Sequence, residues 1–211
     1  MKTRIAIVWL VSLLTLVSSW SVRAGEYESG FGFGISVPDI WLVLTREEVT
    51  ESTEQFMNEE SETHPVVGLA SVPKSMRQAV SERVQAGELE MYYRRTDRPG
   101  AFIDNMNVMQ QAADLPATAS QLHDICRALP IEFSRIFGRP IAMDVCEMRE
   151  RIGRRALYLQ FDGAIPGTTT LHYQLQRDRG TTLVFTATTT LASLPLVTSE
   201  FEIMISSIRF H

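Results

Sequence analysis

The two cysteines of the chain, Cys126 and Cys146, are its clearest candidates for covalent chemistry. In an exported protein such a pair most often forms a structural disulfide. A structural zinc site needs four ligands, usually as two close pairs, and only His123 lies near Cys126 in the sequence. A redox centre normally has Cys-x-x-Cys spacing, which this pair lacks. We therefore predict a Cys126–Cys146 disulfide, and favour it over two free buried thiols, a metal site or a catalytic thiol.

Arginines near two predicted turns form a second group with binding chemistry. If residues 141–189 fold as two hairpins, the turns at 149–155 and 177–180 lie at the same end of a sheet. Arginine forks match carboxylate and phosphate oxygens, so this end is a candidate contact for an anion or an acidic partner. The alternative is that these arginines solubilise the turns and pair with neighbouring acidic residues. The residues of the predicted contact are Arg151, Arg154, Arg155, Arg177 and Arg179.

Catalytic and metal-binding patterns are otherwise scarce. The sequence has no Gly-x-Ser-x-Gly turn of the kind that presents a nucleophilic serine. Its four histidines are scattered and form no His-x-x-x-His pair for a metal. We therefore expect no metal, no cofactor and no enzymatic activity.

The N-terminal segment predicts export. Lys2 and Arg4 precede a short apolar run over 5–19, and Val22 and Ala24 occupy the positions that a signal peptidase reads. We expect residues 1–24 to be a signal peptide and 25–211 to be a single domain, periplasmic or secreted. No cysteine lies at the cleavage site, which argues against a lipoprotein. Cleavage would lower the net charge from −5 to −8, and so acidic a chain is a poor candidate for binding nucleic acid.

Hydrophobic periodicity predicts strands and helices in mixed order. Capping boxes at Thr45 and Ser199 predict helix starts there, and a third helix is predicted from Ala119 to about Leu129, where Pro130 kinks or ends it. Residues 74–86 are ambiguous, with a short helix as one interpretation. Strands are predicted at 31–37, 66–72, two segments around the turn at 96–100, 141–149, 155–162, 169–176 and 182–189. Grouped strands with inserted helices indicate an α+β fold on a mainly antiparallel sheet.

The order of these elements resembles that of the PsbP-like fold family, which includes PsbP and DcrB-type envelope proteins. The resemblance depends on "SVPDIWLV" after a glycine-rich strand, on "FIDNMNVMQ", on a helix followed by a four-stranded meander, and on the terminal "FEIMISSIRF". It implies a sheet sandwiched by helices, and a protein that binds or assists other proteins. Unlike DcrB-type lipoproteins, this chain has no lipidation cysteine.

The sequence thus predicts an exported, non-enzymatic accessory or chaperone-like protein that binds another envelope protein. The main alternative is a periplasmic module that binds a small molecule or an ion in a pocket between sheet and helices. A hydrolase of unknown type is the third interpretation.

Overall fold

The computed structural model describes residues 24–46, 74–96 and 102–211. Four predicted segments lie wholly or almost wholly outside the described residues. They are the signal peptide, of which only Ala24 is described, the helix starting at Thr45, the strand at 66–72 and the turn at 96–100.

Within these ranges the chain forms ten strands and three helices. They are β1 (Ala24–Ser29), β2 (Phe33–Pro38), β3 (Trp41–Leu44), α1 (Lys74–Gln85), β4 (Glu90–Arg94), β5 (Asn105–Gln111), α2 (Ala119–Phe137), β6 (Met143–Arg151), β7 (Arg154–Asp162), β8 (Thr168–Asp178), β9 (Thr181–Thr190), α3 (Leu194–Ser206) and β10 (Arg209–Phe210).

The strands form one large and one small antiparallel sheet. Seven strands pair in the order β3-β4-β5-β9-β8-β7-β6, and three pair in the order β1-β2-β10. The four predicted meander strands correspond to β6, β7, β8 and β9. The short outer strands β1 and β10 were not predicted, because two to six residues at a sheet edge carry little periodic signal.

One face of the large sheet packs against α3 and the small sheet. Phe33 and Ile35 from β2 join Phe201, Met204 and Ile205 from α3 in this core, and all five are almost completely buried. The predicted apolar stripe of the last helix is therefore a core stripe.

The opposite face of the large sheet carries the other two helices, one near each end. On α1, Val84 packs over the β3–β4 end with Met91 and Tyr93. On α2, apolar residues such as Phe133 pack over the β6–β7 end with Phe161. Helices lie on both faces of a mainly antiparallel sheet, which confirms the α+β prediction. The layer that contains α3 also contains the small sheet.

The middle helix, α2, continues past the proline that was predicted to kink or end it. Thr118 and Gln121 form a capping box at its start, and Gly138 ends it with a φ of 67°, a value that glycine adopts without steric cost. Pro130 lies inside the helix, where its carbonyl accepts a 2.6 Å hydrogen bond from the Ser134 hydroxyl.

The predicted start of the last helix is wrong. Helix α3 begins at Leu194 rather than near Ser199, and Pro195 in its first turn is a common helix-start residue. Glu202 does not complete a capping box. Its carboxylate instead forms ion pairs with Arg149 and Arg151 of β6.

Cys126 of α2 and Cys146 of the edge strand β6 form a disulfide, with their Cα atoms 5.8 Å apart. Periodicity placed Cys126 on the core side of its helix, which is where β6 lies. The bond fastens α2, whose apolar residues are only partly buried, to the end of the large sheet.

A buried carboxylate fastens the β1–β2 hairpin to the large sheet. Glu90 of β4 accepts hydrogen bonds from the Ser29 hydroxyl (2.9 Å) and the Gly30 amide (2.8 Å) at the hairpin tip. The Tyr92 and Tyr27 hydroxyls also donate to it, at 3.1 and 3.4 Å. Despite these donors, burial raises the pKa of Glu90 above its ordinary value of 4.5, because removal from water disfavours the charged form.

Replacing both cysteines with serine, as Cys126→Ser with Cys146→Ser, is expected to lower the free energy of unfolding by about 3 kcal/mol. The disulfide closes a loop of about 20 residues, and the loss of that constraint enlarges the unfolded ensemble. Denaturant unfolding measures the change, and a reductant should produce the same change in the parent protein. An unfolding midpoint of the parent that does not respond to reductant would contradict this prediction.

The stability difference between the parent protein and Glu90→Gln is expected to depend on pH. A carboxyl group whose pKa is raised by folding stabilises the folded state below its unfolded pKa, and this contribution is lost as pH rises through the folded pKa. The free energy of unfolding of the parent minus that of Glu90→Gln should therefore fall as pH rises from below 4.5. Unfolding curves across this window measure it, and a difference that grows with pH would show that the hydrogen bonds outweigh burial.

Candidate functional site

The three central strands of the large sheet carry polar residues on the face shared with α1 and α2. Strand residues alternate between faces, so the buried Met106, Leu171 and Phe185 point to the α3 core, while their neighbours point the other way. Two rows of paired residues run across β5, β9 and β8 on that second face. The rows are Asn105–Thr188–Thr170 and Asn107–Thr186–His172.

The same face is apolar where a helix covers it. Beneath α1, the face is formed by the apolar residues Tyr93 and Met91 of β4. These two residues pair with Asn105 and Asn107 of β5. Beneath α2, the rows continue to apolar residues of β7, such as Phe161. Among the described residues, the polar stripe thus coincides with the part of the face between the two helices.

Four residues of this stripe, Asn105, Thr170, Thr186 and Thr188, form the floor of a cavity of about 550 Å³, which we call the central groove. Its walls are largely apolar and come from α1, from the end of α2 and from the loop after β7. The lining residues are Arg77, Val80, Met91, Tyr93, Phe102, Ile103, Asn105, Phe137, Phe161, Ala164, Ile165, Thr170, Thr186 and Thr188.

The central groove carries little charge. Of the described side chains that line it, only Arg77 is charged, and that residue is 2% exposed. Thr170, Thr186 and Thr188 offer hydroxyl groups, and Asn105 offers an amide whose Nδ2 donates to the Ile103 carbonyl at 3.0 Å. Apolar walls with a few polar groups are typical of a binding site for a largely apolar ligand.

A neutral histidine lies beside the floor. The Nδ1 atom of His172 is 3.0 Å from the Thr186 hydroxyl, and its Nε2 atom is 3.2 Å from Gln174 Nε2. Burial lowers the pKa of His172 to about 4, so the ring is uncharged near neutral pH. With both ring nitrogens engaged, His172 orders the floor of the groove and is a weak proton acceptor.

The structure divides the predicted arginine contact between the two faces of the sheet. Arg154 reaches toward the small sheet, where it lies 4.2 Å over the Phe210 ring and donates to the Arg177 carbonyl at 2.6 Å. Arg155 faces the other way and donates to the Pro116 carbonyl. These two neighbours therefore cannot join one flat contact.

The remaining arginines at this end also have mainly internal roles. Arg151 pairs with Glu202, and Arg177 donates to the Phe31 carbonyl at 2.5 Å. Arg179 is exposed at the β8–β9 turn. The contact of this end with an anionic partner stays a prediction, and the observed contacts fit the alternative, in which most of these arginines bind within the chain.

Sequence reasoning offered a pocket between sheet and helices as an alternative but did not identify the residues of the central groove, although their signal is present. In "TTTLHYQL" and "FTATTT", threonine, histidine and glutamine alternate with core residues, whereas both faces of β7 are apolar over "ALYL". Such a change between neighbouring strands indicates where a covered face becomes open. Finding the groove from the sequence also requires the strand order, which places β5 next to β9.

Neither a cluster of metal-ligating side chains nor a membrane-spanning helix occurs among the described residues. No group of three or more histidine, cysteine, aspartate or glutamate side chains in this part of the chain is arranged to hold a metal ion. Its helices also include none with the length and apolar character needed to span a bilayer.

Comparisons with known proteins identify the fold. No protein-family model matches the chain, and no curated protein matches it. Among solved structures it is similar to the cyanobacterial PsbP protein CyanoP from Synechocystis sp. PCC 6803, with a TM-score of 0.51, 13% identity and coverage of 94% of this chain and 99% of CyanoP. It is also similar to the Ran-binding protein Mog1p of Saccharomyces cerevisiae (TM-score 0.49, 8% identity, 90% and 96% coverage). A third similar structure is the immunity protein TplEi of Pseudomonas aeruginosa, with a TM-score of 0.45, 9% identity and coverage of 89% of this chain and 98% of TplEi. The chain has the PsbP-like fold.

Proposed function

We propose that this protein is an exported, non-enzymatic accessory or chaperone-like protein of the cell envelope, and that its central groove binds an apolar segment of another envelope protein. The observation that carries the proposal is the groove itself, an apolar cavity on a sheet face that α1 and α2 leave open. Fold similarity alone does not establish function, so the proposal depends on the chemistry of this site.

The groove suits apolar side chains that enter from outside. Burying one leucine or phenylalanine side chain contributes roughly 1.5–3 kcal/mol, and the walls offer Val80, Phe137 and Ile165 as contacts. The hydroxyls of Thr186 and Thr188 lie on the floor, where they can pair with backbone amides or carbonyls of an entering segment. Because Arg77 supplies the only charge among the described lining residues, a strongly charged segment would lose its hydration without compensation.

The chemistry of the groove supports binding rather than catalysis. General-base catalysis near neutral pH requires a group whose pKa lies near the working pH. Among the histidines that the structure describes, His172 lies nearest to the floor, its pKa is lowered to about 4, and both of its ring nitrogens are engaged.

Export is supported by the N-terminal pattern and by the disulfide. Two basic residues, a short apolar run and a small-residue cleavage pattern follow one another within residues 1–24. The Cys126–Cys146 bond is of the kind that persists outside the reducing cytosol.

The second candidate function is binding of a small molecule, and the groove volume favours it. Pockets for small ligands typically enclose roughly 300–1,000 Å³ and are mainly apolar, and the central groove encloses about 550 Å³. A peptide segment and a small apolar molecule would use the same walls, so one set of variants tests both.

Photo-crosslinking in intact cells tests the occupant of the groove. With benzoylphenylalanine in place of Ile165, which is half-exposed at the groove rim, we expect a discrete adduct with one envelope protein. The same probe in place of Ile131, an exposed residue of α2 that does not line the groove, should not form it. Mass spectrometry identifies the adduct.

A groove-filling variant supplies the control. Thr188→Trp places an indole over the floor and should abolish the adduct, whereas Thr181→Trp, outside the groove lining near the β8–β9 turn, should retain it. Thermal unfolding of both variants checks that they are folded. An adduct that persists in Thr188→Trp would contradict the proposal, and a bound molecule below about 1 kDa, a drug-sized ligand, that is lost in Thr188→Trp would favour the second candidate.

A further inference from the structure

Helix α2 is attached to the large sheet with fewer buried residues than the other two described helices. None of its 19 residues is buried, whereas α1 buries Val84 and α3 buries Phe201. The apolar side chains of its inner face, such as Leu122 and Leu129, are only partly buried over the β6–β7 end. Because packing stabilises a helix roughly in proportion to the apolar area removed from water, the disulfide supplies a larger share of the attachment of α2.

Pro130 weakens the helix close to that disulfide. It lies inside α2 and has no amide hydrogen, so the carbonyl of Cys126, four residues earlier, lacks its usual donor within the helix. The proline separates an N-terminal half, residues 119–129, from a C-terminal half, residues 131–137. Cys126 belongs to the N-terminal half, and Phe137, which lines the central groove, belongs to the C-terminal half.

The C-terminal half has contacts of its own with the sheet. Phe133 stacks on Phe161 of β7, with ring centroids 4.6 Å apart. The Ser134 hydroxyl accepts a hydrogen bond from the amide of the buried Ile141 at 2.9 Å. We expect this half to stay in place, as one wall of the central groove, whether or not the disulfide is intact.

The N-terminal half relies on the disulfide. Its described ion pair joins Arg127 to Asp124 of the same helix and does not reach the sheet. Its covalent link is the bond from Cys126 to Cys146 of the edge strand β6. Both cysteines are half-buried, and β6 has no neighbouring strand on its outer side among the described residues. The bond therefore lies where a dithiol can reach it, and exposed disulfides are the more readily reduced kind.

We propose that the disulfide is a redox-sensitive latch, which keeps residues 119–129 on the sheet beside the central groove. A dithiol reduces the bond by two successive thiol–disulfide exchanges. The two sulfurs of the dithiol become a disulfide, and Cys126 and Cys146 receive the two electrons and two protons as thiols. Reduction releases the N-terminal half from β6, while the buried Leu115 before it and Phe133 after it stay packed, so the opening is local.

Release of the N-terminal half uncovers apolar surface that continues the central groove. Leu157 and Leu159 of β7 lie beneath α2, and Leu159 pairs with His172, in the row that includes Thr186 of the groove floor. With the bond intact the groove is a cavity of about 550 Å³, and with the bond reduced the open apolar face extends across β7. The effect of the latch on binding rests on the proposed function, whereas the latch itself does not.

Hydrogen exchange measured by mass spectrometry tests the latch. Dithiothreitol should reduce the bond without denaturant, and exchange in 119–129 should become about a hundredfold faster, because the bond closes a loop of about 20 residues. Exchange in 131–137 and in α1 should change at least about tenfold less. The double variant Cys126→Ser with Cys146→Ser should match the reduced parent and should not respond to the reductant.

Two outcomes of this experiment would overturn the proposal. Equal acceleration of exchange in 119–129, 131–137 and α1 would show that the bond acts only on global stability. A bond that resists the dithiol until the whole protein unfolds could not serve as a latch.

An uncharged apolar dye, N-phenyl-1-naphthylamine, tests the opened surface separately from the groove. Its fluorescence should rise on reduction both in the parent and in Thr188→Trp, whose groove is filled, because Leu157 and Leu159 become exposed. The absence of a rise in Thr188→Trp would contradict the opening. A missing crosslink from the Ile165 position in the oxidised parent would instead contradict the proposed function, while exchange and dye binding would still decide the latch.

Discussion

A seven-stranded sheet is wider than two helices can cover, and this constraint shapes the candidate site. Six inter-strand spacings of about 4.8 Å make such a sheet roughly 29 Å wide between its outer strands. A helix with its side chains is only about 10 Å across. Helices α1 and α2 pack over opposite ends of one face, and the floor of the central groove is the stripe of β5, β9 and β8 between them. The residues on that stripe are mainly threonine and asparagine, whose hydroxyls and amides tolerate contact with water or with a ligand.

The opposite face of the large sheet is covered in a different way. Helix α3 and the small sheet together cover it, and buried aromatic residues such as Phe33, Tyr173 and Phe201 fill the space between the layers. Three carboxylates fasten these outer elements to the large sheet. Glu90 fastens the β1–β2 hairpin, while Glu200 and Glu202 fasten α3 through arginines of β4 and β6. Because these ion pairs lie between layers, the outer surface of α3 is left neutral.

Much of this architecture follows from local sequence patterns. Alternation predicted the β6–β9 meander, periodicity predicted the buried stripe of α3, and the position of Cys126 on its helix agrees with the bond to Cys146. Predictions that required neighbours distant in sequence were less successful. Ser199 and Glu202 have the spacing of a capping box, but Glu202 is drawn to Arg149 and Arg151, and Pro195 marks the true helix start. Locating the central groove requires knowing that β5 pairs with β9, which follows it some 75 residues later in the chain. No local sequence pattern reveals that pairing.

Native mass spectrometry of the protein purified gently from the cells that make it can decide whether the central groove is occupied, because it weighs whatever is bound there, whether a polypeptide or a small molecule. We expect the parent chain to carry a second polypeptide, and Thr188→Trp, with its groove filled, to carry none. An identical bound species at equal occupancy on both proteins, or a parent chain that carries nothing, would contradict the account.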